Sequence, residues 1–163
     1  MTGLKRRIGN RNPKAHKGQG LVEFALILPV FLMLIMGIVE FGRLMITYSG
    51  VASASREAAR YGASVGTTAS GAEHFRDCAG IRDEARRVAP LTPLEDSDIV
   101  IEYDNPATGF HTATCPPVQL ALGDRIIVTV TFTFEPIVPL VNLPPLPLRS
   151  TTARTVLRDI YVK

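Results

Sequence analysis

The sequence predicts an α+β protein: a long N-terminal transmembrane helix, then a small extracytoplasmic domain with one helix packed on a mostly antiparallel three- to four-stranded sheet. Three patterns carry this prediction. Leu21 to Val39 reads LVEFALILPVFLMLIMGIV, 19 residues whose one charge is Glu23. Phe75, Cys78, Ile81, Ala85 and Val88 fall on one helical face. Between Asp124 and Glu135, Ile126, Val128, Val130, Phe132 and Phe134 alternate with Ile127, Thr129, Thr131 and Thr133, the period of a strand.

The first element is sized for a bilayer. At about 1.5 Å per residue the apolar run covers roughly 30 Å, the thickness of a hydrocarbon core. Its flanks give an orientation. Lys5, Arg6, Arg7, Arg11, Lys14 and Lys17 precede it with no acidic residue among them. The positive-inside rule therefore puts residues 1–18 in the cytoplasm and everything after about Leu44 outside. The protein is expected in the cell (inner) membrane as a single-pass chain. The same six cations explain the net charge of +3. Beyond them the chain has 12 basic residues against 15 acidic ones, so the body of the protein is acidic. A nucleic-acid binder would spread positive charge over a folded face, and none is expected here. A cleaved secretory signal would use Ala52-Ser53-Ala54, but that site lies well past the end of the apolar run.

The residues that open the run are more specific. Gly18, four residues, Glu23 and Phe24, following a basic leader, resemble a class III signal peptide of type IV pilins and their relatives. In those proteins a prepilin peptidase cuts after the glycine, which here falls between Gly18 and Gln19. A bare carboxylate in a bilayer costs a few kcal/mol and needs a partner. The cut creates one, the new ammonium of Gln19, on the same chain or a neighbour. On this reading Gly18 and Gln19 form the cleavage site, and Glu23 and Phe24 serve assembly.

The likeness continues through residue 64. Val22 to Leu26 (VEFAL), Pro29, Phe41-Gly42-Arg43 and the Ser55 to Ala63 extension (REAARYGA at its heart) are similar to the TadE-like family. The resemblance implies a pseudopilin or minor pilin of a tight-adherence pilus or a related secretion or adhesion apparatus. Its implied partners are the lipid bilayer, the prepilin peptidase, other pilin-like subunits and the tight-adherence machinery. It brings no catalytic residues and no cofactor. The chain then divides into a leader (1–18), a transmembrane and extended N-terminal helix (19–62) and an extracytoplasmic α+β domain (63–163). A different class of function, a membrane-anchored binding module whose helix is only a tether, needs no cut at Gly18.

Within the extended helix, Ala54, Ala58 and Gly62 recur every four positions beside Ser55 and Ala59, a stripe of small residues that permits close approach. Glu40 and Arg43 are spaced to pair at its membrane end. Farther on, Ser70 and Glu73 have the spacing of a capping box, with Arg76, Arg82 and Arg86 off the apolar face and Pro90 and Pro93 stopping the helix. Strands are expected at Ile99, Ile101 and Tyr103, over 124–135, and over 151–162. The segment Pro136 to Leu148, PIVPLVNLPPLPL, is read as an extended loop because proline of that density forbids a regular helix or a central strand.

Two cysteines in an oxidising compartment predict a Cys78–Cys115 disulfide. The competing arrangement is zinc held by His74, Cys78, His111 and Cys115, two His-x3-Cys pairs whose spacing is not that of a zinc ribbon. No nucleophile is evidently paired with a base, and there is no phosphate-cradling glycine loop and no HExxH. Asp96, Asp98, Glu102 and Asp104 do not have EF-hand spacing and read as a solvated strand edge or loop. The chain is therefore not expected to be an enzyme.

Overall fold

The structure, a computed structural model, describes residues 17–121, 123–137 and 144–156. The leader up to His16, Val138 to Leu143 of the proline-rich segment, and the C-terminal part of the expected last strand lie outside the described residues. Two compact units divide the chain at Val39 and Glu40.

Helix α1, Lys17–Gly62, contributes to both. In the first unit it is the apolar run, whose side chains are exposed throughout. It is long and apolar enough to cross a membrane. Pro29 lies inside it and has no N–H to offer the preceding turn, an interruption that membrane helices tolerate.

In the second unit α1 is one element of a two-layer α+β domain. Helix α2, Cys78–Val88, follows a 3-10 turn at His74–Arg76. The sheet comprises β1 (Ile99–Asn105), β2 (Phe110–Thr112), β3 (Arg125–Phe134) and β4 (Leu146–Thr155), in the order β2-β1-β3-β4 with every pair antiparallel. Alternation decides the faces. Ile99, Ile101 and Tyr103 of β1 and Ile126, Val128 and Val130 of β3 are buried, and they join Val51, Ala54, Ala58, Ile81 and Ala85 from the helices in one core. The opposite sheet face carries Thr131, Thr133 and the Arg125–Asp104 ion pair at 2.6 Å. That pair holds the Asp104 carboxyl below its usual range, chiefly through the hydrogen bond from Arg125.

The small-residue stripe explains how closely α1 meets the sheet. Ser55 Oγ lies 2.8 Å from Ser150 Oγ and 3.1 Å from Thr152 Oγ1, so the helix rests on β4 through hydroxyls. At Gly62 a β-carbon would collide with Ile126 Cδ1 and press on Ile81. The stripe thus packs against the protein's own sheet.

Three expectations are corrected. Helix α2 does not begin at a Ser70–Glu73 box: Ser70 Oγ meets Thr68 Oγ1 instead, and the cap is Asp77, whose carboxylate accepts from the Gly80 N–H at 3.0 Å. The last strand starts at Leu146 rather than Thr151, and so takes in the end of the segment read as a loop, with Pro147 opposite Thr133. Proline is admissible there because β4 is an edge strand, where a missing N–H need not break a ladder. His111, which lies in none of the expected strands, belongs to β2, a strand too short to show a period.

Candidate assembly site

Gly18, Gln19, Glu23 and Phe24 all lie on the first turns of α1 and all are exposed. The geometry brings two of them together. The side-chain amide of Gln19 donates to Glu23 Oε1 at 3.3 Å, one helical turn apart. A charge on the main-chain nitrogen of Gln19 would therefore sit within a turn of the carboxylate. Phe24 is 62 % exposed.

At the other end of the apolar run, sequence spacing anticipates only part of what is found. Arg43 Nη1 donates to both oxygens of Glu40, at 2.7 and 2.9 Å. The guanidinium also lies 4.7 Å over the Phe134 ring, and its Nη2 donates to the Glu135 carbonyl at 3.0 Å. Glu40 Oε1 in turn accepts from the Ile137 N–H at 3.0 Å. The pair that the spacing anticipates is thus one half of a clamp that fastens the exit of β3 to α1. Nothing in the sequence signals the second half of the clamp, which joins residues more than 90 positions apart.

Cys78 and Cys115 form a disulfide. Both sulfurs are consumed by it, so the thiolates that a four-ligand zinc site would need are not there. The two histidines are engaged separately: His74 Nδ1 lies 3.1 Å from the Gly66 carbonyl with its ring edge-on to Tyr61, and His111 Nε2 lies 3.6 Å from Glu102. Around the disulfide the domain is closely tied. Tyr103 is fully buried, donates to the Phe75 carbonyl at 2.6 Å and lies 3.3 Å from Cys115 Sγ. Burial pushes its phenol well above the ordinary range. Tyr61 donates to Asp77 at 2.8 Å, and desolvation together with that bond raises its pKa to about 12. Both phenols are held as hydrogen-bond donors and are poor candidates for proton transfer near neutrality.

The geometry can therefore offer a membrane-length helix, a carboxylate near its start and a small disulfide-tied domain. Residues 18–60 match the family model described as TadE-like protein. That match begins at Gly18 and ends within the packed half of α1, so the matched segment includes the apolar run, the Glu40–Arg43 pair and most of the small-residue stripe. The domain beyond the TadE-like segment is outside the match. No curated protein and no solved structure matches the chain.

Proposed function

We propose that the chain is a non-enzymatic, pseudopilin-like or minor-pilin-like component of a tight-adherence pilus or related secretion or adhesion apparatus. It sits in the inner membrane by a single pass, with its N-terminus cytoplasmic and its α+β domain outside. The observation that carries this reading is the TadE-like match, which starts at Gly18 and runs along one unbroken helix. A prepilin peptidase removes residues 1–18 and with them six cations that resist extraction of the helix. The ammonium left on Gln19 lies within a helical turn of Glu23 and neutralises it, in its own chain or in a neighbour's. Assembly partners are other pilin-like subunits that meet the exposed apolar helix.

Mass spectrometry of the protein co-expressed with its peptidase tests this. The expected mature chain begins at Gln19. An intact leader in the presence of active peptidase would favour a simple tether for a binding module, and a chain starting at Ser55 would indicate a secretory signal.

A further inference from the structure

Four strongly exposed apolar side chains gather at one end of the second unit. They are Ile46 on α1 (56 % exposed), Leu91 after α2 (76 %), Ile137 after β3 (70 %) and Leu146 opening β4 (45 %). A hydrogen bond and strand register place Ile137 and Leu146 beside the Glu40–Arg43 turn of α1. The Ile137 N–H is bound to Glu40, Leu146 is the strand partner of Phe134, and Phe134 lies beneath Arg43. Ile46 and Leu91 flank an open cleft of about 510 Å³ whose floor includes Phe132 and Phe134. Apart from Phe41, Met45 and Tyr48, which continue the exposed apolar side of α1, other exposed apolar residues of this unit, such as Val118 between β2 and β3, are scattered and need no explanation. Four from separate segments at one end mark a contact surface.

Chain connectivity identifies what covers it. Glu40 directly follows Val39, the last residue of the apolar run, and Ile46 is only two helical turns farther on. With the apolar run in a bilayer, Ile46 is tethered within about two helical turns of its end. The one cation lining the cleft, Arg43, is already paired to Glu40, and the exposed Glu135 at its edge would repel rather than attract an anionic headgroup. An apolar rim around an internally neutralised ion pair suits the boundary between headgroups and acyl chains, and asks for no anionic lipid.

We propose that the base of the domain is a second, monotopic membrane contact: Ile46, Leu91, Ile137 and Leu146 insert into the interfacial layer of a phosphatidylcholine-like surface. The proposal rests on α1 being a membrane span and is independent of whether the leader is cut or a filament forms.

The disulfide leaves no free thiol, so a single introduced cysteine can be labelled in the full-length protein. Leu91→Cys, Ile137→Cys and, as a reference, Val118→Cys are each coupled to an environment-sensitive fluorophore and reconstituted in phosphatidylcholine nanodiscs. Labels at positions 91 and 137 should emit to the blue of the label at 118, several-fold brighter, and doxyl-phosphatidylcholine should quench them selectively. All three side chains are exposed, so folding is not at stake, and Ile46→Cys gives a reading from α1 itself. Equal emission at 91, 137 and 118 would overturn the proposal. So would a blue shift that doxyl lipid does not quench, because protein rather than lipid would then cover the surface.

Discussion

Gly62 shows how one missing methyl group sets the distance between two layers. It ends α1 directly over Ile126 and Ile81, both fully buried, and a side chain there has nowhere to go. Gly62→Ala should lower stability by about 2 kcal/mol through overpacking, despite the better helix propensity of alanine. Gly42→Ala meets nothing within 4 Å and should leave it unchanged. Urea titration of the two variants in mild detergent measures the difference. At this scale the sequence is only half legible. The four-residue recurrence of Ala54, Ala58 and Gly62 announces close packing, but not whether the neighbour is the same chain or another. Asp77 could not be preferred to Ser70 as a cap, because both precede apolar helical positions. What decides it is the close approach of Tyr61 and Asp77 to Gly80, which places the start of α2.

Among the elements, β3 was the most legible, since ten residues with one apolar face fit only a strand. The start of β4 was obscured because the proline rule depends on position in the sheet: Pro147 excludes a central strand, yet edge placement is a property of topology that no local window contains. The contact between α1 and α2 is electrostatic as well as apolar. Glu57 is paired to Arg60, Glu84 is paired to Arg87, and Arg87 also reaches Glu57 at 3.9 Å. Hydrogen bonds from these arginines, first among the causes, hold both glutamates below their ordinary 4.5. A carboxyl whose pKa is lower in the folded state than in the unfolded one stabilises above the unfolded value, and its contribution is lost as pH falls through the folded value. Tyr61 works in the opposite direction: its raised pKa contributes below 10 and the contribution is lost as pH climbs towards about 12. The melting temperature should therefore be flat between about pH 5 and 9 and fall on both sides. In Glu57→Gln/Glu84→Gln the acid limb should become shallower while the alkaline limb is unaffected.

At the level of the whole molecule, the layered α+β plan follows from the three sequence patterns, while strand β2, the start of β4 and the pairing of distant segments come from the structure. The disulfide is the tie that most affects the global balance. It joins the start of α2 to the approach to β3 across 37 residues, a loop whose closure stabilises the fold by about 4 kcal/mol in the chain-entropy model. Cys78→Ser/Cys115→Ser should lose a comparable amount, read as a lower urea midpoint for near-ultraviolet dichroism while far-ultraviolet helix signal from α1 persists.

Strand β4 carries one more implication. Ten residues long, it lies at the end of the sheet order, and among the described residues it pairs only with β3. A ladder left open over that length is a template for stacking copies into fibrils unless its residues blunt it. The strand carries its own gatekeepers: Pro147, which lacks an N–H, and the exposed Arg149 and Arg154, whose like charges oppose an identical strand. Arg149→Ser/Arg154→Ser should fold and melt nearly as the parent does. Held at high concentration in detergent, it should nonetheless accumulate thioflavin-positive material that the parent does not.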